Sequence, residues 1–253
     1  MAFLNRVVQG LNADNRETFN RICIANKIRL NYKRNKTALG ILKEIFEERV
    51  YSDYFPFYKK AVIFDIGAHF GYFSLFANRN LHPDSIIYSF EPSSGNFEIL
   101  KENLNVNNVL NVKTYQGGIG PQNERCRLIL SNHANNFLEY FGEIKNSYYA
   151  EEIEVMTIEK AMFENRVEKI DFLKLDCEGS EYSILETMKP EVYRMIKTVS
   201  LEFHDLKSEK HNGDYIAELL QYHGFSLVKN TYSKTTTGLN YGKIVATRLN
   251  HPK

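Results

Sequence analysis

Short apolar runs of strand length recur along the chain from residue 61 onward, and stretches with apolar residues at helical spacing separate them. The runs are rich in β-branched and aromatic residues, which favours β-strands. They lie at Ala61–Phe64, Ile86–Phe90, Val109–Tyr115, Ile170–Leu175, Val199–Phe203, Phe225–Val228 and Lys243–Thr247. The intervening apolar stripes are Phe97/Leu100/Leu104, Ile184/Leu185/Met188 and Ile216/Leu219/Leu220/His223, the last of which ends at Gly224. This alternation predicts an α/β fold in which helices cover both faces of a mainly parallel sheet.

Two further pairs of runs predict antiparallel strands. The last two runs of the main series are joined by Thr235–Gly242, which has no room for a helix, so we expect them to pair antiparallel. The segments Cys126–Leu130 and Ile153–Met156 predict a hairpin-like insertion. The stretch between them is rich in tyrosine (Tyr140, Tyr148, Tyr149), and no element is assigned to it.

The first sixty residues differ from the rest in charge and in pattern. They carry 12 Lys and Arg against 6 Asp and Glu, whereas the remainder carries 20 against 25. Leu39, Leu42, Ile45 and Phe46 recur at helical spacing after Thr37, a candidate N-cap. We therefore predict an N-terminal helical extension over residues 1–60 and a main domain over residues 61–253. A basic stretch precedes the helix and is either a clamp for a phosphate-bearing substrate or a solvated face; it comprises Lys27, Arg29, Lys33, Arg34 and Lys36.

Composition narrows the class of protein. With 253 residues, 43 % hydrophobic and 25 % charged, the chain has the composition of a globular protein and not of a disordered or coiled-coil one. A net charge of +1 gives no overall field toward nucleic acid or an anionic membrane. The three cysteines, Cys23, Cys126 and Cys177, show no C-x-x-C spacing, which disfavours a disulfide framework and a zinc site. No apolar run reaches the length of a membrane span, so we expect a soluble, cytoplasmic protein.

The first strand is followed by a glycine-bearing turn that favours ligand binding. Asp65, Gly67 and Gly71 give the spacing Asp-x-Gly-x-x-x-Gly between a buried strand and an amphipathic helix. In an open parallel sheet, ligands bind at the carboxyl ends of the strands, where glycines let the backbone approach them and helix N-termini offer free N–H groups. The Gly-x-Gly-x-x-Gly fingerprint is missing, which disfavours a dinucleotide and an oxidoreductase that would use one. The alternative is a structural turn with glycines kept for packing.

The second strand ends in a carboxylate that suits a nucleoside. Glu91 lies 24 positions after Gly67, as the ribose-binding acid of such folds does, and Pro92 follows it. Ser93 or Ser94 is a candidate N-cap for the next helix. A charged group at the end of a buried strand needs a partner, and ribose hydroxyls supply one.

Taken together, these motifs resemble the FkbM family of S-adenosylmethionine-dependent methyltransferases, from about Phe46 to about His204. The most specific element is the run Lys174-Leu-Asp-Cys-Glu-Gly-Ser-Glu181, which in such proteins ends the fourth strand and faces the methyl donor. The segments that carry the resemblance are Val50-Tyr51, Phe64 to Gly71, Phe90-Glu91-Pro92, Gly117-Gly-Ile-Gly120 and Asp171 to Glu181. The resemblance implies the Rossmann-like class I methyltransferase sheet, seven-stranded with an antiparallel last strand, and S-adenosylmethionine as cofactor.

The resemblance also implies which residues bind that cofactor. Asp65, Gly67 and Ala68 would line its methionine end, with His69 and Gly71 in the same turn, where the family commonly has asparagine at the position of His69. Glu91, beside Pro92, would hold the ribose hydroxyls. Gly118 and Ile119 would border the adenine, and Asp176 and Glu178 would sit near the sulfonium and the acceptor.

Methyl transfer to a hydroxyl is an in-line displacement, so the protein aligns the reactants, and a base is needed only to remove the hydroxyl proton. His204 is the preferred base because its ordinary pKa lies near neutrality; Glu178 comes second if burial raises its pKa, and Glu202 is a further candidate. We expect no metal, although Asp176, Glu178, Glu202 and His204 offer the ligands for a divalent cation. Cys177 is expected to be a buried small apolar residue and not a nucleophile.

Three kinds of function are open for such a site. The resemblance favours O-methylation of a hydroxyl on a sugar, glycan or secondary metabolite. A nucleic-acid methyltransferase is the alternative that the basic N-terminal stretch supports, but the Asn/Asp-Pro-Pro-Tyr-like run typical of base-amino methylation is missing after the fourth strand, where Asp-Cys-Glu-Gly stands. A ribose hydroxyl of RNA stays open as an acceptor. The third possibility is a catalytically silent protein that binds S-adenosylmethionine. We expect the N-terminal helices and the insertion at residues 131–150 to select the acceptor.

Overall fold

A seven-stranded sheet forms the centre of the protein in the computed structural model, which describes residues 13–30, 38–130, 137–139, 149–205, 210–234 and 240–249. The helices are α1 (Ala13–Ala25), α2 (Ala38–Phe46), α3 (Tyr72–Asn80), α4 (Ser94–Val106), α5 (Ile158–Asn165), α6 (Glu181–Thr187), α7 (Pro190–Met195) and α8 (Gly213–Tyr222). The strands are β1 (Val62–Ile66), β2 (Ile86–Glu91), β3 (Val112–Gln116), β4 (Gly118–Ile119), β5 (Glu124–Leu130), β6 (Phe137–Glu139), β7 (Tyr149–Met156), β8 (Phe172–Leu175), β9 (Thr198–His204), β10 (Ser226–Lys234) and β11 (Asn240–Thr247).

The strand order of the large sheet is β10-β11-β9-β8-β1-β2-β3. The five strands from β3 to β9 run parallel, whereas β11 is antiparallel to both of its neighbours, β9 and β10. This confirms the predicted parallel sheet with an antiparallel last strand. β3 begins later than predicted because Val109 closes the turn after α4, where its N–H donates to the carbonyl of Leu104 at 3.1 Å. Ile170, predicted to be in a strand, forms only an isolated bridge with Ile196.

Two hydrophobic clusters cover the two faces of the sheet. Successive residues of β1 alternate between them: Ile63 belongs to the cluster with α1 to α4, and Phe64 belongs to the cluster with α5 to α8. Both side chains are fully buried, as expected for strands of a parallel sheet that are covered on both sides. Because β1, β2, β8 and β9 run parallel, their carboxyl ends meet at one edge of the sheet.

The N-terminal helices pack on the main sheet. Phe19 of α1 and Leu42 of α2 share one buried cluster with Phe73 of α3. Part of the basic stretch also contacts the main helices, since the backbone N–H of Arg29 donates to Asn107 Oδ1 at 2.9 Å. Thr37, Lys33, Arg34 and Lys36 lie outside the described residues. Within those residues, no helix is both long and apolar enough to cross a membrane.

The insertion after β3 forms a second, four-stranded sheet of order β4-β7-β5-β6. Its β5 and β7 pair antiparallel with Cys126 opposite Ile153, which confirms the predicted hairpin. β4 and β6 were not predicted, because two or three residues carry too little periodicity to stand out. Tyr140 and Tyr148, and most of the segment between residues 131 and 150, lie outside the described residues.

Candidate active site

A cavity of about 650 Å³ opens at the carboxyl ends of β1, β2, β8 and β9. Eleven of the site residues predicted from the sequence line it together: Gly67, Ala68, His69, Glu91, Pro92, Gly118, Ile119, Asp176, Glu178, Glu202 and His204. Two others, Asp65 and Gly71, are not among the lining residues. The cavity matches the size of ligand pockets that enclose a cofactor-sized molecule.

The turn after β1 requires glycine at position 67. Gly67 has a φ of +76°, and a Cβ built on it would lie 1.8 Å from the carbonyl oxygen of Asp176. The N–H groups of Gly67 and Ala68 both donate to the carbonyl of Phe90 at 3.0 Å, which ties the turn to the end of β2. The turn thus lies directly against the backbone that follows β8, in a gap that only glycine fits.

Asp65 supports this turn from below the cavity. It is fully buried, lies 3.1 Å from Lys174 Nζ and accepts a 2.6 Å hydrogen bond from the Ser74 hydroxyl. Lys174 also donates to the carbonyl of Gly67 at 2.9 Å. The pair therefore fixes the glycine turn from within the sheet. Gly71 has a packing role, because a Cβ there would lie 2.3 Å from Leu100 Cδ1.

Glu91 places a buried carboxylate at the cavity wall. It accepts hydrogen bonds from the backbone N–H groups of His69 (2.7 Å) and Ser93 (3.0 Å) and from the Asn96 amide (3.3 Å). Since an ionised carboxylate has about four acceptor sites, one stays available for a ribose hydroxyl. Burial raises the pKa of Glu91 to about 7, against the lowering effect of these donors. Ser93 is the N-cap residue of α4, but its side chain makes no capping hydrogen bond.

His69 adopts the left-handed conformation, with a φ of +51°. Asparagine and histidine are among the non-glycine residues that tolerate this region best. Burial lowers the pKa of His69 to about 4, so the imidazole is neutral at neutral pH. Its Nδ1 is buried and has no hydrogen-bond partner within the described part of the chain. A neutral imidazole with a free nitrogen at the cavity wall suits a polar ligand.

The opposite end of the cavity is acidic. Tyr51 donates to Asp176 Oδ2 at 3.0 Å, and Glu202 pairs with Lys243 at 3.2 Å. Glu178 Oε2 lies 3.5 Å from His204 Nε2. Burial, with the neighbouring charges of Asp176, Glu181 and Glu202, raises the pKa of Glu178 to about 9. Burial also raises the pKa of Glu202 to about 7.

These contacts separate the candidate bases. Glu178 holds its proton at neutral pH, so it is a hydrogen-bond donor there and not a base. His204 lines the cavity at the end of β9, and its Nδ1 is buried and unpartnered among the described residues. The fully buried Glu181 instead accepts from the N–H groups of Cys177 and Gly179 and holds the turn after β8.

Asp176, Glu178, Glu202 and His204 are the candidate ligands of a divalent cation at this end of the cavity. Across the described residues, no group of three or more His, Cys, Asp or Glu side chains is arranged to hold a metal ion. Cys177 is half-buried at the cavity wall and packs against the second core cluster. Burial and the carboxylate of Glu181 raise the pKa of its thiol well above the ordinary value, which leaves it a poor nucleophile.

Sequence reasoning gave no site role to several lining residues. Gly40, Ile41 and Glu44 come from α2, and Tyr51 follows that helix. Tyr51 lies under two ammonium groups, with Lys174 Nζ at 5.6 Å and Lys243 Nζ at 5.5 Å from its ring centroid. Tyr51 was visible in the sequence only as part of the family resemblance, because its contact with Asp176 spans 125 positions.

Solved methyltransferases share this fold. The precorrin-6y C5,15-methyltransferase from Geobacter metallireducens aligns with a TM-score of 0.50 and 14 % identity, over 88 % of this chain and 95 % of that one. The METTL16 methyltransferase domain aligns with a TM-score of 0.53 and 11 % identity, over 94 % and 80 %. The strand order and the glycine turn after β1 are those of the class I methyltransferase fold.

The chain belongs to the FkbM methyltransferase family, because the family model described as the methyltransferase FkbM domain matches residues 65–227. Methyltransferase 1 of Beauveria bassiana is 27 % identical to this chain and is matched over 74 % of this chain and 80 % of its own. The 31-O-demethyl-FK506 methyltransferase FkbM of Streptomyces tacrolimicus is 28 % identical, over 76 % and 83 %.

Proposed function

We propose that this methyltransferase transfers the methyl group of S-adenosylmethionine to a hydroxyl oxygen of a sugar, glycan or secondary metabolite. The observation that carries the proposal is the single cavity that joins the glycine turn and Glu91 to the histidine and carboxylates at the ends of β8 and β9. The name of the Streptomyces relative, 31-O-demethyl-FK506 methyltransferase, specifies an O-demethyl position of its substrate, which supports a hydroxyl acceptor.

The residues present fit the cofactor. Glu91 keeps one acceptor site for a ribose hydroxyl, and the unpartnered Nδ1 of His69 in the glycine turn suits a polar group of the cofactor. In the proposed arrangement Gly67, Ala68 and His69 bind the methionine end, and Gly118 and Ile119 border the adenine. The cofactor supplies a methyl group already activated by positively charged sulfur. Asp176, held by Tyr51, lies at the acidic end that favours this positive charge.

His204 is the proposed base. Its imidazole lines the cavity, and the ring nitrogen that carries no hydrogen in the neutral form accepts the proton of the acceptor hydroxyl. Glu178, which carries a proton at neutral pH, donates to the acceptor and limits the negative charge around the reacting oxygen. Glu202 is tied to Lys243 and acts on the acceptor through its charge.

We further propose a cytoplasmic location, because the odd number of cysteines suits a reducing compartment.

The first test is calorimetric titration with S-adenosylmethionine, S-adenosylhomocysteine and NAD. We expect saturable binding of both adenosyl compounds and none of NAD. In Glu91→Ala, affinity for both falls about 100-fold, because hydrogen bonds to a buried carboxylate contribute about 1.5–3 kcal/mol each. Glu98→Ala, which removes an exposed carboxylate on α4, serves as the control and leaves binding unchanged. A well-folded wild-type protein that binds neither adenosyl compound contradicts the proposal.

The affinity for the adenosine half depends on pH through Glu91. A ribose hydroxyl donates to the ionised carboxylate, so nucleoside binding lowers a pKa that burial has raised to about 7. The affinity for the nucleoside is therefore highest at a pH above that pKa, and it falls as the pH drops below the pKa. We expect adenosine, which is uncharged over this range, to bind about tenfold more weakly at about pH 6 than at about pH 8. Glu91→Gln removes this slope; a slope of the same size in Glu91→Gln assigns it to another group and contradicts the role.

A further inference from the structure

A glycine stands inside α2 where the structure gives no steric reason for one. Gly40 is the third residue of this nine-residue helix, and its φ is not in the left-handed region. A Cβ built on it meets no atom of the described residues within 4 Å. Glycine inside a helix costs about 1 kcal/mol relative to alanine. Its position at the cavity wall offers the reason, because the missing side chain leaves space for a ligand.

The contacts of α2 place this space at the acidic end of the cavity. Glu44 lies one turn after Gly40 on the same face of the helix, and it also lines the cavity. Lys243 Nζ lies 3.3 Å from Glu44 Oε2 and 3.2 Å from Glu202 Oε2, so one lysine bridges α2 to β9. The part of the cavity wall that contains Gly40 and Glu44 is thus linked to β9, the strand that ends in His204, the proposed base.

The charged side chains around this space determine which chemical groups of a ligand can bind there. Each of the two lysines near this space is shared between two carboxylates. Lys174 pairs with Asp65 and Asp176. Lys243 pairs with Glu44 and Glu202. The carboxylate of Glu44 accepts hydrogen bonds and donates none. A hydroxyl group is therefore a suitable partner, whereas a phosphate or carboxylate group adjoining these acids is repelled.

We propose that Gly40 determines acceptor specificity: its missing side chain leaves the passage in which a neutral, hydroxyl-rich acceptor crosses α2 and donates a hydrogen bond to Glu44. The proposal rests on the proposed methyl transfer and narrows its acceptor to a compound without an anionic group in this part of the cavity. It also predicts that the passage stays open when the cofactor is bound.

The test needs no knowledge of the acceptor. The variant Gly40→Cys is treated with three methanethiosulfonates, carrying 2-hydroxyethyl, 2-trimethylammonioethyl and 2-sulfonatoethyl groups, and each rate is normalised to that with 2-mercaptoethanol. Mass spectrometry of the peptides separates the introduced thiol from those of the native Cys23, Cys126 and Cys177. We expect the cationic reagent to react about tenfold faster than the anionic one, and the neutral reagent to be intermediate. Because the same thiolate attacks all three reagents and displaces methanesulfinate from each, the ratio of their rates does not depend on the fraction of thiol that is ionised.

Two comparisons complete the experiment. Glu44→Gln in the Gly40→Cys background reduces the cation-to-anion ratio at least threefold, and saturating S-adenosylhomocysteine changes the rates less than twofold. The control Gly95→Cys, at an exposed helical glycine of α4 that is not itself among the lining residues, gives a ratio near unity. Tenfold or greater protection of the thiol in Gly40→Cys by S-adenosylhomocysteine assigns the space to the cofactor and overturns the proposal, as does an anionic reagent that reacts as fast as the cationic one. Absence of S-adenosylhomocysteine binding in calorimetry instead refutes the proposed function.

Discussion

Replacing Lys174 by methionine is expected to destabilise the protein by about 3–5 kcal/mol, because it leaves a buried carboxylate without its counter-charge. Lys174 is almost fully buried and pairs with Asp65, whose side chain has no exposed surface. Burial by itself lowers the pKa of Lys174, but the charges of Asp65 and Asp176 outweigh it and hold the pKa above the ordinary value. The loss is measured as the free energy of unfolding in urea.

The same substitution is expected to weaken cofactor binding. Lys174 donates to the carbonyl of Gly67, so its removal frees the turn that follows β1. The control is Lys229→Met, which breaks an exposed ion pair with Asp53 and changes stability by less than about 1 kcal/mol. The double variant Asp65→Asn, Lys174→Met recovers part of the stability, since neither member of the pair is then left charged alone. A loss below about 1 kcal/mol in Lys174→Met contradicts this account of the pair.

The sheet was predictable because each strand carries its own signal. Buried parallel strands are apolar on both faces, so runs such as Ile170–Leu175 stand out from the helical spacing on either side. The antiparallel pairing of β10 with β11 followed from a connection too short for a helix. Exact strand ends were less predictable, because Val109 is apolar but lies in the turn after α4.

The position of a cavity-lining residue was predictable where its residue type and its place at the end of a strand were enough to single it out. The glycine turn and Glu91 lie at the cavity wall as expected, and His204 lies at the end of β9. Gly40 carried no local signal and Tyr51 stood out only through the family resemblance, because their place in the cavity depends on how α2 packs on the sheet. Asp65 shows the same limit in the other direction: the family resemblance implied a contact with the methionine end, but the residue is not among those that line the cavity and pairs with Lys174 inside the sheet.

Protonation states depend on several elements at once. Glu178 comes from the end of β8, yet its raised pKa reflects burial together with charges that include Glu202 on β9. His204, at the end of β9, therefore faces the carboxyl group of Glu178, which holds its proton at neutral pH. The chemical roles of Glu178 and His204 therefore follow from the packed arrangement and not from residue type alone.

Gly67→Ala is expected to remove cofactor binding and to destabilise the fold by about 3 kcal/mol or more. The new Cβ would lie 1.8 Å from the carbonyl oxygen of Asp176, which belongs to the backbone and has no rotamer to move away. Alanine also disfavours the φ of +76° at this position. Relief of the clash separates the turn after β1 from the end of β8, and these two segments carry the proposed contacts to the methionine end and the sulfonium. We expect S-adenosylhomocysteine affinity to fall at least about 100-fold by calorimetry.

The matched control is Gly95→Ala, the same chemical change at an exposed position of α4 where an added Cβ has space. It is expected to leave binding unchanged and to stabilise the protein by up to about 1 kcal/mol, because alanine has the higher helix propensity. Urea denaturation gives the stability of both variants, and calorimetry is performed where each is folded. If Gly67→Ala folds and binds S-adenosylhomocysteine as the wild type does, the close approach of the two strand ends is not what holds the cofactor. Full loss of binding in a folded Gly67→Ala protein, with Gly95→Ala unaffected, ties cofactor binding to this contact between β1 and β8.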